Sequence, residues 1–424
     1  MEVIIINDYG HVTGGSTSVA VASALGLAQA GHMVTYFCAV GPVAPGLLRQ
    51  KNLTVVCLEQ SEISKDPNRW RALTQGLRNR EAVDCLTALL AEKDPRRTVV
   101  HVHTWTKALS PFALALAANR GFPVVVTLHD FFITCPTGGF FAHNTGRLCH
   151  RRPLSLGCIG CNCDRRNYGH KLWRVFRTVL QNRILHVPEK MAHFIGVSGF
   201  SLAIMKPYLP ADVPVSVIRN PIECERRPAI GVAENREFIF VGRLEEEKGA
   251  RLFAAAIRAA GVPGVFIGDG ALRPELQAAY PEIRFSGWLQ PAETRRALGR
   301  ARALVFPPLW YETLGMVVVE AASIGIPVII SDSCAATDFV RNGETGIFFE
   351  HGSVSSLAGQ IARLRDHSDE TQRLGRSAYQ WYWDAPWTTE RHVEELVKVY
   401  QGVLRTRPEA NQTAERISAP IEAV

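Results

Sequence analysis

REFIFVGRLEEEKG, residues 236–249, is a short apolar run, β-branched and aromatic, that ends at Gly242 and then turns almost wholly charged. A continuous apolar strand is the kind found in parallel sheets covered by helices on both faces. The charges that follow then sit on the loop leaving the strand's C-terminal end, which is where open α/β sheets hold ligands. Working outward, GVFIG, ALVFP, PVIIS and GIFFE continue the series, and EVIII, MVTYFC, TVVCL, TVVHVH, PVVVTL, HFIGV and PVSVI precede it. Longer Ala/Leu-rich segments separate these runs. Two such series predict an α/β protein of two doubly wound, Rossmann-like domains facing a cleft.

Proline, glycine and charge interrupt the periodicity in RNPIECERRPAIGVAENRE, residues 219–237, which divides the chain into domains of 1–218 and 219–382. The tail, 406–424, is polar and Ala-rich and is expected to be disordered. With 424 residues and 47% hydrophobic content the chain can bury two cores of ordinary size. MEVIIINDYG carries no basic leader, and its VIII run is too short for a signal peptide or a membrane span, so a cytoplasmic chain is expected. In that setting the ten cysteines read as reduced thiols or metal ligands rather than a disulfide framework. A net charge of +7 favours anionic partners, phosphates or acidic lipid surfaces, without choosing between them; a nucleic-acid partner is not expected.

The chemistry-bearing residues fall on the predicted loops. Arg243 and Lys248 are five residues apart and can grip a diphosphate, one with a guanidinium fork and one as a point charge. A solvated charge run is the alternative, since Glu245 to Glu247 lie between them. In YETLGMVVVEAASIG, residues 311–325, a helix is expected from about Leu314 or Gly315, its free N–H groups facing an anion. Glu312 lies just before that helix and Glu320 about a turn and a half inside it. Either could meet ligand hydroxyls; capping for Glu312 and an ion pair with a neighbouring helix for Glu320 stay open. Gly14 and Gly15 open a helix toward the same cleft, or form an ordinary βα turn. DYGHVTGGS is not a G-x-G-x-x-G fingerprint, which argues against a nicotinamide enzyme.

VGRL with EKG, then IGDG, FSGWL and the E-x7-E element ending EAASIGIPVIIS, resemble the donor half of family 4 glycosyltransferases of the GT-B fold. TGGSTSVAVASALGLAQAGHMV, TLHDFFITCP, IGVSGFSLAIM and PVSVIRNPIE resemble the first half of that family more loosely. The resemblance implies a retaining transfer of a hexosyl or related sugar from a nucleoside diphosphate sugar to a hydroxyl. A UDP-sugar is favoured, with a GDP-sugar open. The implied acceptor is a glycan, a lipid-linked glycan or a small molecule, in polysaccharide or cell-envelope biosynthesis. It places Glu312 beside the donor sugar and Glu320 on the ribose. Arg243, Lys248 and the amides of Thr313, Leu314, Gly315 and Met316 fall around the diphosphate, with Gly242 at the strand end and Trp288 and Leu289 near the base. His129 matches a histidine near donor sugar and acceptor; Asp130 either orients it or only closes the turn. WTTERHVEELVKVYQGVLRT, residues 387–406, resembles the final helix, placed at 383–405, that crosses back to the first domain. No D-x-D occurs, so no catalytic divalent cation is expected. The alternative from another class is a non-catalytic nucleotide-sugar-binding scaffold of the same fold; a GT-B epimerase is less favoured by E-x7-E.

Two features stand outside the plain pattern. Cys135, Cys149, Cys158, Cys161 and Cys163 crowd a cysteine-rich insertion, about 135–163, with His143 and His150 nearby. A structural zinc on Cys149, Cys158, Cys161 and Cys163 is expected, with an iron–sulfur centre or reduced thiols in a mobile acceptor loop as alternatives. Beyond it, HKLWRVFRTVLQNRILHV carries apolar residues at helical spacing and four cations, Lys171, Arg174, Arg177 and Arg183. Either a basic amphipathic helix lies on an anionic membrane, which would make the protein peripheral on the inner face, or a core-packed helix shows a solvated basic face.

Overall fold

The computed structural model describes residues 1–406, so the expected disordered tail lies, apart from Thr406, outside the described residues. Each apolar run named above forms a strand. In the first half these are β1 (Glu2–Tyr9), β2 (Met33–Val40), β3 (Leu53–Cys57), β4 (Thr98–Val102) and β5 (Val124–Leu128). A two-stranded hairpin, β6 (Phe141–Ala142) and β7 (Arg147–Leu148), precedes β8 (His193–Gly196) and β9 (Val215–Val217). The second half holds β10 (Glu237–Val241), β11 (Gly264–Ile267), β12 (Arg284–Phe285), β13 (Ala301–Phe306), β14 (Val328–Ser331) and β15 (Gly346–Phe349). The hairpin and β12 went unread because two-residue strands carry no periodicity.

The first sheet has the order β3-β2-β1-β4-β5-β8-β9 and the second β12-β11-β10-β13-β14-β15. Their pairings are parallel throughout, as in β1, where Ile4 faces Thr35 of β2 and Val100 of β4. Alternate residues of one strand feed opposite faces. Ile4 and Ile6 join one buried cluster and Val3 and Ile5 another, while Phe238 and Phe240 of β10 are separated in the same way from Ile239. Each such isoleucine contributes about 1.5–3 kcal/mol by burial. This is why the strands are apolar at every position.

The helix Thr389–Arg405 ties the two halves together. Just before it, Trp387 packs in the core of the second half, and its carbonyl accepts from Ile222 N at 2.7 Å. Val393, Leu396, Tyr400 and Val403 then pack on the first sheet's side. His392 reaches Ser23 Oγ at 2.8 Å and Arg219 O at 2.9 Å, and Tyr400 Oη lies 2.6 Å from His101 Nδ1. The first helix, Gly15–Gln29, receives it at Gly26, where a Cβ would come within 2.7 Å of both Thr389 and Val393.

Candidate functional site

The cleft between the halves, about 390 Å³, is framed by loops leaving β1, β5, β10 and β13. Its far wall begins at Gly315, in the left-handed region at φ 84°, from which the helix Met316–Ser323 starts. A side chain there would also meet Phe306, 2.8 Å from its Cζ. The left-handed residue cannot be part of the helix, so the helix starts later than the expected Leu314 or Gly315. In its first turn Val318 N donates to Gly315 O at 3.0 Å, while Met316 and Val317, whose N–H groups helix geometry leaves without intrahelical partners, line the cleft. Across the gap Gly15 stands where a Cβ would touch Met316 Sδ, at 3.2 Å.

Gly14, Gly15, His129, Gly242, Arg243, Lys248, Trp288, Glu312, Thr313, Leu314, Gly315 and Met316 all line this cleft; Leu289 and Glu320 do not. Leu289 packs instead against the core of the second half. Glu320 is half-buried on the helix beyond the lining. Burial raises its carboxyl above the ordinary range against an opposing pull from Arg295. Among the described residues its side chain makes no ion pair.

The charges of the cleft are arranged differently from the expectation that each faces a ligand alone. Lys248 Nζ lies 2.5 Å from Glu312 Oε2, and the same oxygen accepts from Trp310 Nε1 at 3.0 Å. The ammonium also sits 4.8 Å over the Trp310 ring. Arg243 is half exposed and only loosely tied, 3.6 Å from Glu247 Oε1. The solvated charge-run alternative does not describe this loop, because Glu245 and Glu247 are buried and Glu245 is paired with Arg165 at 2.8 Å.

On the opposite wall His129 is oriented by a residue the sequence reading missed. His103 Nδ1 lies 2.9 Å from His129 Nε2, and the rings stack at 5.2 Å. The available signal was position alone, one residue past β4 and beside the end of β5. Desolvation, with some repulsion from His392, pushes His129 down to about 3, so its imidazole is neutral. Asp130 closes the turn rather than holding the histidine: its Oδ1 accepts from Phe132 N at 3.0 Å. Burial raises its carboxyl to about 6. Thr313 Oγ1 donates to His129 O at 3.0 Å and Ser198 Oγ donates to Thr313 O at 2.7 Å, so the two walls are joined by hydrogen bonds.

The cysteine-rich segment folds beside this wall. Cys135, Cys149, Cys158 and Cys163 are buried and Cys161 is half-buried, all as free thiols. The group standing among them is the fully buried Lys171, its Nζ 3.6 Å from Cys158 Sγ. Burial works against this ammonium, but Cys163 and Cys158 more than offset it and hold it above the ordinary lysine range. Among the described residues no group of three or more His, Cys, Asp or Glu is arranged to hold a metal ion.

Lys171 belongs to the helix Tyr168–Val179, which departs from the core-packed reading with a solvated basic face. Lys171 and Arg177 are buried, while Leu172, Phe176 and, just beyond, Ile184 are exposed. The inward cations are held by the thiols and by aromatic rings, which periodicity cannot foresee. No helix among the described residues is long and apolar enough to cross a membrane.

The family described as Glycosyl transferase 4-like domain matches residues 14–155, and that described as Glycosyl transferases group 1 matches residues 235–367. Glycogen synthase of Mycobacterium tuberculosis (strain ATCC 25618 / H37Rv) is 28% identical over 312 residues, 70% of this chain and 66% of that protein. The chain thus spans just under two thirds of that relative's length. Among solved structures, sucrose-phosphate synthase (tll1590) from Thermosynechococcus elongatus superposes with a TM-score of 0.70 at 16% identity, covering 96% of this chain and 100% of that one. Anabaena Alr3699/HepE in complex with UDP and glucose gives 0.65 at 16% identity, over 95% and 100%. At such identities these structures establish a shared fold.

Proposed function

The chain belongs to the family 4 type glycosyltransferases of the GT-B fold, and from that premise we propose that it moves a sugar from a nucleoside diphosphate sugar, with UDP favoured as the nucleotide, to a hydroxyl acceptor with retention of configuration. The observation that carries this reading is the cleft itself. One wall presents a helix N-terminus, Arg243 and the Lys248–Glu312 pair; the other presents a neutral His129 and a glycine turn. That arrangement supports the binding of a dianion flanked by polyhydroxyl groups.

In this reading the diphosphate lies against the first turn of Met316–Ser323. Arg243 leaves its loose contact with Glu247 to form a fork on the phosphate, and Lys248 adds a fixed charge. As the glycosidic C–O bond breaks, negative charge develops on the departing phosphate and is stabilised there. The acceptor hydroxyl bonds to the anomeric carbon on the same face, and its proton passes to the leaving phosphate oxygen. Neutral His129 hydrogen-bonds the sugar. Glu320, in no ion pair among the described residues, takes the ribose hydroxyls, and Trp288 covers the base. No carboxylate-held cation is needed, so turnover survives EDTA. Thermal-shift measurements with UDP, GDP and their sugars test the proposal. A saturating ligand at about 100 times its Kd stabilises by about 2.7 kcal/mol. No shift with any of them overturns it, whereas binding of a sugar nucleotide without turnover favours the scaffold alternative.

Two finer parts complete the proposal. A structural zinc on Cys149, Cys158, Cys161 and Cys163 requires Lys171 to withdraw its ammonium from the thiols, an arrangement the structure does not have. Elemental analysis of freshly purified protein decides it. Peripheral membrane contact rests on the exposed stripe Leu172, Phe176 and Ile184, and flotation with anionic vesicles tests it.

A further inference from the structure

A second cavity, about 560 Å³, lies on the other side of the turn that carries His129 and Asp130. Arg69, Lys107, Arg166, Arg174 and Arg177 line it with a single carboxylate, Glu62. Arg174 is balanced by Asp164 at 3.0 Å. Among the described residues the other four cations make no ion pair. Arg177 is only 7% exposed, its guanidinium held by Thr106 O at 2.9 Å and by the rings of Phe132 and Trp173 at 5.4 and 5.2 Å. Trp173 Nε1, on the same wall, is buried and has no hydrogen-bond partner among the described residues. Lys107 is open to the cavity yet closely surrounded by protein, and desolvation holds its ammonium below the ordinary range, with Glu62 opposing.

Gathering unpaired like charges around a partly desolvated space is costly in the free protein. An anion with several oxygens removes that cost, and guanidinium forks suit phosphate in particular. The cavity also adjoins the cleft. Asp130 lines the cleft, Phe132 lines the cavity, and Lys107 and Arg177 act on the Asp130 carboxyl across the turn.

We infer that this cavity binds a phosphate group of the acceptor, a phosphorylated saccharide free or linked to lipid, and holds it while the acceptor hydroxyl reaches round the turn to the cleft. The term acceptor rests on the transferase proposed above; phosphate binding in the cavity does not.

The test is equilibrium binding, by tryptophan fluorescence or calorimetry, of glucose 6-phosphate, glucose and inorganic phosphate to the full chain with UDP already saturating the cleft. Glucose 6-phosphate should bind at least about tenfold more tightly than glucose. Lys107→Met and Arg166→Met should each weaken it by about tenfold or more while UDP affinity is unchanged. Neither replaces the buried Arg177, so folding is not in question for them. Displacement of glucose 6-phosphate by phosphatidylglycerol vesicles would assign the phosphate to a lipid headgroup, and no displacement to a soluble phosphosaccharide. Equal affinity for glucose and its phosphate, no saturable binding of either phosphate probe, or full affinity in both variants would overturn the inference. Failure of UDP itself to bind would instead remove the transferase reading.

Discussion

Lys248 and Glu312 stand 2.5 Å apart at the cleft, and this pair changes what each residue can do. Lys248→Ala removes a cation from the proposed diphosphate site and leaves Glu312 there as an uncompensated carboxylate. Turnover should fall by about 10²- to 10³-fold. Turnover of Arg243→Ala should fall as far, although Arg243 is only loosely held, 3.6 Å from Glu247 Oε1. Steady-state rates near wild type in either variant would remove the diphosphate assignment. Glu312→Gln keeps the Trp310 hydrogen bond but releases Lys248 as a free cation. UDP affinity should therefore hold or rise while transfer drops, and kcat measured beside the UDP Kd separates the two. Glu320→Ala should do the opposite, weakening UDP by roughly 10- to 100-fold, the scale of hydrogen bonds to a charged group. Unchanged UDP affinity would mean that Glu320 does not reach the ribose.

At the scale of elements, the loop after β5 has its geometry set by β4. His103 sits at the end of that strand, stacks on His129 and supplies the hydrogen bond that selects its tautomer. In the proposed reaction it acts as a positioning residue. His103→Ala should lower kcat by about tenfold with little change in UDP affinity, because the donor-phosphate residues belong to the second half. His103→Asn, which can keep one hydrogen bond, should recover part of the loss. A variant that loses kcat and UDP affinity together would point to simple loss of packing. The helix Tyr168–Val179 makes a parallel case, with Lys171 held among thiols and Arg177 between aromatic rings. Lys171→Met should loosen the cysteine-rich segment, read as faster alkylation of its thiols, and leave UDP binding intact.

For the molecule as a whole, desolvated histidines set the acid limit of stability. His129 is pushed down to about 3 and His392 to about 4, mainly by desolvation, and His101 and His103 lie well below their ordinary value for the same reason. These groups stay neutral in the fold but take up protons in the unfolded chain below about pH 6.5. Stability is therefore complete above that pH and is lost as pH falls toward the folded values, by about 1.4 kcal/mol per pH unit for each proton. Asp130, raised to about 6, works the other way: its contribution is present at low pH and lost as pH rises through 6. Four groups outweigh one. The thermal midpoint should fall steadily from pH 6.5 to 4.5, and a flat profile would contradict the burial of these rings. His392 and His101 also anchor the helix Thr389–Arg405, so acid should free that helix early, visible as rapid amide exchange along it.

Strand order aside, the architecture was legible in the chain. Apolar runs such as EVIII and EFIFV can be stable only when covered on both faces, and that requirement is local enough to read from composition. So were the residue types around the cleft, because arginine, lysine, glycine and glutamate next to a strand end or helix start carry their chemistry wherever the chain goes. Partnership was not legible. That Lys248 meets Glu312, that His103 holds His129, and that Lys171 turns inward while Leu172 and Phe176 turn out depend on residues from separate elements meeting in space. The second cavity has the same origin, since Lys107 and Arg177 come from segments that only the fold brings together. Hydrophobic burial follows the local pattern of a chain, whereas charges take whichever counter-charge, ring or thiol the packed structure brings within reach.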